Sequence, residues 1–222
     1  MLIGEINLKV AIIGAGITGL ACAHELERHN ISPSIIERKS FIGDIETHVT
    51  ASISVMNRPL PDWVDYVKDN YDINIEPLNV IKKISHYSPN KKAIVKGKLG
   101  YLFKRSYEPD AIMGQLYSQL NKSNLILSEY ADYEVLKEQF DYVVIANGDS
   151  NYTKELGCWQ QRVSGWIRGA VVLGSFDPTE VIMWINKSYS NRGYAYLTPF
   201  NETKASISLY VPYVTESEID KY

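Results

Sequence analysis

Three glycines, Gly14, Gly16 and Gly19, lie in the stretch AIIGAGITGL, and a carboxylate, Glu37, follows 23 residues after the first of them. Glycine at this spacing lets the backbone turn tightly and admits a second backbone or a phosphate where a Cβ would stand. A carboxylate further along accepts hydrogen bonds from vicinal hydroxyls. Together they describe a cradle for a diphosphate joined to a ribose. In that reading Gly14 makes the tight exit from a strand, Gly16 admits the pyrophosphate, and Gly19 lets a helix pack closely. Ala15, Ile17 and Thr18 complete the loop, whose unpaired N–H groups open a helix and favour an anion. Glu37 repels a 2′-phosphate, which argues against NADP at this place, although the adjacent Arg38 and Lys39 soften that exclusion.

The glycines carry this meaning only between a strand and a helix. INLKVAIIG is a compact apolar run that suits a strand buried on both faces. In ITGLACAHELERHN the period changes: Ile17, Leu20, Ala21, Ala23, His24 and Leu26 fall on one face, with Glu25, Glu27, Arg28 and His29 toward solvent. The helix should stop near Asn30, ahead of the serine and proline of NISP, and SPSIIE begins a new extended run. Residues 6 to 38 therefore read as strand, helix, strand, a right-handed βαβ unit in a parallel sheet.

Downstream, SFIGDIETHVTASISVMNRPLP shows no sustained helical face, and DWVDYVKDNY reads as a short helix with Trp63, Val64 and Val67 inward. Alternation over NVIKKISHYSPNKKAIVKGKLGYLF predicts a small strand layer at about residues 78–104, with a turn at SPNKK. EPDAIMGQLYSQLNKS is helical, with Pro109 in its first turn and Ile112, Leu116 and Leu120 on one face. NLILSEYADYEVL predicts a further strand or strand pair. QFDYVVIANGDS predicts another buried parallel strand, Tyr142 to Ala146. Ligands bind beyond the carboxyl ends of such strands, so Asn147, Gly148 and Asp149 are candidates by position. From about residue 155 the runs VSGWIRGAVVLGSF, EVIMWINKS, RGYAYLTPF and KASISLYVPYV predict antiparallel strands. The expected architecture is α/β: a Rossmann-like FAD/NAD(P)-binding domain over residues 1–154, and part of an antiparallel β substrate-type domain over 155–222.

Composition limits the functional classes. A net charge of −3 predicts no non-specific affinity for nucleic acid, and KKAIVKGK, the densest basic run, reads as the solvated side of a hairpin. Two cysteines, Cys22 and Cys158, make no disulfide framework. His24, His29, His48 and His86 lack metal-ligand spacing, so no metal is expected. Ser32, Ser34 and Ser40 lack a nucleophile-elbow context. No stretch approaches the ~20 apolar residues that span a bilayer. A soluble, cytoplasmic protein acting on a small molecule is the plain reading, with peripheral contact to a membrane or lipid left open.

The glycine spacing does not choose between FAD and NAD. Residues 9–39 resemble the FAD-binding start of the large flavoprotein oxidoreductase superfamily. FDYVVIANG resembles the strand and loop that close the superfamily's first FAD-binding section, which implies cofactor contacts at Ala146, Asn147 and Gly148. LFKRSYEPDAIMGQL is similar to a segment of the hydroxylase and geranylgeranyl-reductase group in which an arginine precedes a helix, implying a flavin-side or phosphate contact for Arg105. GYAYLTPF looks like a geranylgeranyl-reductase element whose aromatics line the cavity beside the flavin, which implies a substrate-facing role for Tyr194 and Tyr196. Alternation independently puts both on one strand face. The resemblance implies FAD, with NAD(P)H as electron donor, and reduction of an apolar, isoprenoid-like substrate. No catalytic residue is assigned.

This sequence departs from the superfamily in lacking its downstream GD segment, whose aspartate holds the ribityl–pyrophosphate portion of FAD. Asp149 belongs to the earlier ANGD loop. An alternative expectation is therefore a truncated or non-catalytic dinucleotide-binding subunit, completed by a homo-oligomer or a partner chain. A simple NAD-dependent enzyme is disfavoured because no acid–base pair is evident.

Overall fold

The computed structural model describes residues 8–221. Ile6 and Asn7, the expected start of the first strand, lie outside the described residues. In chain order the elements are β1 (Val10–Ile13), α1 (Ile17–Arg28), β2 (Ser34–Glu37), β3 (His48–Ile53), α2 (Trp63–Tyr71), β4 (Asn79–Ser88) and β5 (Lys91–Arg105). They continue with α3 (Ile112–Tyr117), β6 (Asn124–Leu127), α4 (Tyr133–Gln139), β7 (Tyr142–Ile145) and α5 (Asn151–Glu155). The C-terminal third holds β8 (Gly165–Leu173), β9 (Glu180–Trp184), α6 (Lys187–Ser190), β10 (Tyr194–Pro199) and β11 (Lys204–Pro212). These elements divide into two compact units. One takes residues 1–45, 64–76 and 106–159; the other takes 46–63, 77–105 and 160–222.

The first unit is a parallel sheet in the order β6-β2-β1-β7. Every residue of β1 is buried, as expected of a strand covered on both faces. On one side the cluster of Ala11, Ile13, Ile36, Ala131 and Leu136 packs under α4. On the other lies α1, whose Gly19, Leu20, Ala23 and His24 are buried. The helix ends as its sequence predicts. Asn30 takes a left-handed φ of 61°, and Ile31 N–H donates to Leu26 C=O at 2.9 Å, closing the last turn. Two side chains then fix α1 against the following layer. His24 Nε2 bonds the Leu116 carbonyl at 2.9 Å. The Glu27 carboxylate accepts the N–H groups of Asn121, Lys122 and Ser123 together with the Ser123 hydroxyl.

Three expectations for this unit change. The segment YADYEVL is not strand: α4 forms there because Asp132 caps its start, accepting from Glu134 and Val135 N–H. Leu136, three residues after Tyr133, is the buried contact of that helix, so the apolar pattern has helical spacing. β7 is parallel as predicted, but among the described residues it is an edge strand paired only with β1, and Tyr142 is 62% exposed rather than buried. α3 starts at Ile112, and Pro109 precedes it in the turn.

The second unit is a seven-stranded sheet in the order β3-β5-β4-β9-β10-β11-β8. The predicted hairpin is β4 and β5, turning through Pro89 and Asn90, and residues 91–98 are exposed as their lysine alternation requires. All pairings are antiparallel except β4 with β9, so the hairpin and the C-terminal strands form one sheet. A register shift between Ile81 and Lys83 breaks the alternation of β4 and lets Ile81 and Ile84 both reach the core. With Val49, Leu102, Val181 and Phe200 they form this unit's apolar cluster.

Although β3 and β10 are separated by three strands in that order, the sheet curls until they meet. Thr198 Oγ1 donates to the Val49 carbonyl at 2.8 Å, and Val49 N–H donates to Ser206 Oγ at 3.1 Å. Thr198 and Ser206 also bond each other at 2.8 Å, and both are buried. This clasp fastens β3 across the face of β10 and β11.

Candidate functional site

The glycine turn has the geometry its spacing predicts. Gly14 has φ +105°, and its N–H donates to Ile36 C=O at 2.8 Å. A Cβ on Gly14 would stand 2.8 Å from the Ala146 carbonyl and from Asn147 Cα, so the loops leaving β1 and β7 meet backbone to backbone. A Cβ on Gly19 would stand 2.0 Å from Gly14 C=O, which is why α1 can begin so close to the strand. Gly16 differs from both. Among the described residues nothing lies within 4 Å of where its Cβ would be. Its glycine is therefore not required by packing inside the chain, and the open face is where a phosphate can approach the backbone.

Gly16 is the N-cap of α1, with no side-chain cap and no acidic residue in the first turn. The helix start thus keeps both its dipole and its unpaired N–H groups for an anion. Ile17 and Thr18 form that first turn, and Leu20 N–H closes it on Gly16 C=O at 2.9 Å. Beside the turn, Glu37 ends β2. Its carboxylate accepts Ala15 N–H at 2.9 Å and Lys39 N–H at 3.0 Å. Two N–H bonds fix its position, and a carboxylate with about four acceptor sites keeps capacity for ribose hydroxyls.

Arg38 is 65% exposed and its guanidinium reaches the Asp149 carboxylate only at 4.0 Å. Asn147 follows β7, and its buried Oδ1 lacks a hydrogen-bond partner among the described residues. A buried amide oxygen in that state can accept from a ligand or from an ordered water. Gly148 has φ +75°, with open space about its Cβ position. One unit therefore brings together Gly14, Ala15, Gly16, Ile17, Thr18, Gly19, Glu37, Arg38, Ala146, Asn147 and Gly148. The residues fit a dinucleotide: an open glycine, an uncapped helix start, a fixed carboxylate and an orphaned amide.

The remaining predicted residues belong to the second unit. Arg105 ends β5, in register with His48 of β3, and is half-buried. Tyr194 and Tyr196 lie on one face of β10, with ring centroids 5.9 Å apart. Tyr210, which sequence reasoning missed, stands opposite Tyr194 on β11, its ring 5.8 Å away. The three tyrosines line a cavity of about 330 Å³, above Ile167, Val181 and Met183 and beside β3. Only strand register brings Tyr210 here, and register is not written in a single strand's sequence. Among the described residues no cluster of three His, Cys, Asp or Glu could hold a metal ion. Nor, among them, is any helix long and apolar enough to cross a membrane.

With this geometry in hand, comparison with known proteins places the fold. Residues 12–60 match the family model of the NAD(P)-binding Rossmann-like domain. Among curated proteins none matches the sequence significantly. Among solved structures, a geranylgeranyl bacteriochlorophyll reductase-like protein from Thermoplasma acidophilum is similar at 14% identity and a TM-score of 0.61, over 92% of this chain and 56% of its own. For 2,6-dihydroxypyridine-3-hydroxylase from Arthrobacter nicotinovorans the values are 15% and 0.62, over 95% of this chain and 57% of its own. PqsL, a probable FAD-dependent monooxygenase from Pseudomonas aeruginosa, matches at 12% and 0.56, over 92% and 60%. The chain spans under two thirds of the length of each. Its fold is Rossmann-like, of the FAD/NAD(P)-binding type, joined to a curled β layer.

Proposed function

We propose that the protein is an FAD-dependent oxidoreductase in which the glycine turn holds the adenosine diphosphate portion of the cofactor. The observation that carries this reading is the open backbone at Gly16, set between an uncapped helix start and the fixed Glu37 carboxylate. Gly16, Ile17 and Thr18 would face the pyrophosphate, Glu37 the ribose hydroxyls, and Asn147 a donor group of the ligand. The resemblance of FDYVVIANG and the folds of the similar structures favour FAD over NAD as the occupant. When bound, the flavin would carry hydride or electrons, with NAD(P)H as donor and an apolar, isoprenoid-like molecule as substrate. Arg105 is the proposed flavin-side or phosphate contact. Tyr194 and Tyr196 are the proposed substrate contacts, and the cytoplasm is the proposed compartment.

A second reading, a dinucleotide-binding subunit completed by a partner chain, is favoured by one observation: both sheets present exposed apolar edge strands. Tyr142 on β7 is 62% exposed, and on β8 Ile167 is 62% and Leu173 84% exposed. Edges of that kind are ordinarily covered. Purification separates the readings. A yellow protein that releases FAD on denaturation supports the first. A folded, colourless protein that refuses added FAD supports the second. Glu37→Arg should weaken FAD binding, and unchanged affinity would remove Glu37 from the site.

A further inference from the structure

Charge is distributed unevenly along the chain. Residues 77–107 hold eight lysines and arginines and no aspartate or glutamate, although the net charge of the whole is −3. Residues 181–201 hold Lys187 and Arg192 and again no aspartate or glutamate. Parallel pairing of β4 with β9 brings these two acid-free segments side by side, and both strands end near the β4–β5 turn. β3 pairs with β5 only from Gly100 onward. Among the described residues, 91–96 therefore pair with β4 alone, and their outer edge is open. Every residue from 91 to 98 is exposed.

Register sorts this end of the sheet into faces. Lys92, Ile94 and Lys96 stand opposite Tyr87, Ser85 and Lys83, and Trp184 lies beside Tyr87 on β9, so all share one face. Glu180 engages Lys83 at 2.9 Å, but Lys91, Lys92 and Lys96 have no carboxylate partner among the described residues. The Lys92 ammonium lies 4.8 Å from the centre of the Tyr87 ring, which stacks on Trp184. Beside them Ile94 is 46% exposed, and Ile185, whose N–H donates to Tyr87 C=O at 2.8 Å, is 50% exposed. Cations, aromatic rings and bare isoleucines are thus interleaved at one edge. Lysines alone guard a strand edge against pairing, but that task requires neither the isoleucines nor an acid-free neighbouring strand. A nucleic acid would use the lysines and gain nothing from the isoleucines. A bilayer with anionic headgroups uses both: its phosphates take the ammonium groups, and its acyl boundary takes Ile94, Ile185 and the lysine stems.

We propose that the distal half of the β4–β5 hairpin, with the adjoining end of β9, docks on an anionic lipid membrane. The docking does not depend on the oxidoreductase reading. The test is cosedimentation of the full chain with vesicles of phosphatidylcholine and phosphatidylglycerol at about 3:1, in roughly 0.1 M salt. Binding should saturate, should be at least tenfold weaker on vesicles of phosphatidylcholine alone, and should weaken as salt is raised to about 0.5 M. Replacing three lysines together, Lys91→Gln, Lys92→Gln and Lys96→Gln, should weaken it about thirtyfold or more, since each lysine at such a surface is worth roughly fivefold. The same change of charge on exposed lysines of the first unit, Lys68→Gln, Lys137→Gln and Lys154→Gln, should weaken it less than about fivefold. Ile94→Thr should weaken it about threefold or more without altering its salt dependence. Equal losses in the two triple variants, equal binding to neutral vesicles, no binding to either kind, or duplex DNA bound as tightly as the charged vesicles would overturn the proposal. The comparison of vesicle compositions on the parent chain keeps the test decisive even where a variant does not fold. FAD uptake is measured separately, so either reading can fail alone.

Discussion

The two candidate sites are built from opposite materials. In the parallel-sheet unit the chemistry is carried by backbone: three glycines, a helix start and a carboxylate held by two N–H groups. In the curled-sheet unit it is carried by side chains that meet only through pairing between distant strands. A backbone site demands particular residues at fixed spacing, so it tolerates few substitutions. A side-chain site demands a shape, and many residue combinations supply one. The same contrast governs stability. The glycine turn depends on atoms that must be absent, and the clasp of the curled sheet depends on hydroxyls that must be present.

Substitutions can break this comparison at each end. The largest effect is expected at Gly19, where a methyl group would stand 2.0 Å from the Gly14 carbonyl. Both atoms belong to a tight turn, so neither can move aside cheaply. Gly19→Ala should cost about 3 kcal/mol or more, a fall in Tm of roughly 6–12 °C for a chain of this size, read by thermal denaturation. Next is the clasp. Thr198→Val keeps the shape but removes the donor to Val49 C=O, leaving that carbonyl and Ser206 with one partner fewer. The expected loss is about 1–3 kcal/mol, and Thr198→Ser should recover most of it. A Thr198→Val protein as stable as the parent would show that the Thr198 hydroxyl does nothing to hold β3 in place.

The smallest effect sharpens the electrostatic side of the first unit. Burial opposes ionisation of Glu27, but the Ser123 hydroxyl and the N–H groups of Asn121, Lys122 and Ser123 outweigh it and hold the carboxyl below its usual range. A depressed folded value means stability that is present above the unfolded value, about 4.3, and lost as pH falls through the folded one. Glu27→Gln should therefore lower Tm by roughly 2–4 °C near neutral pH. The gap from the parent should close in the acid range. A gap independent of pH would mean that only the shape of the Glu27 side chain matters.

The same division explains what could be read from the sequence. Gly14, Gly19, the stop of α1 near Asn30 and the place of Glu37 were legible because local geometry dictates them: a positive φ, a close approach, a strand end. The β4–β5 hairpin was legible from alternation and its turn. The helix at Tyr133–Gln139 was not, because seven residues offer two turns of pattern, and the capping by Asp132 has to be weighed against strand-like Tyr and Val. Burial of β7 was misjudged because an apolar run does not say whether its strand lies at the centre or the edge of a sheet. Tyr210 and the Thr198–Ser206–Val49 clasp were invisible for a deeper reason. They join residues up to 157 apart in sequence, through a curl that no single segment encodes. Tyr194 and Tyr196 were found only as two rings on one face.

Gly16 bears most directly on the central claim, since it is the glycine of the turn that packing does not require. FAD titrated into the purified chain, followed by quenching of flavin fluorescence, should saturate at one equivalent. Gly16→Ala should keep the parent Tm and weaken FAD affinity at least tenfold. Equal affinity in Gly16→Ala, or a folded parent chain that takes up no FAD, would contradict the account.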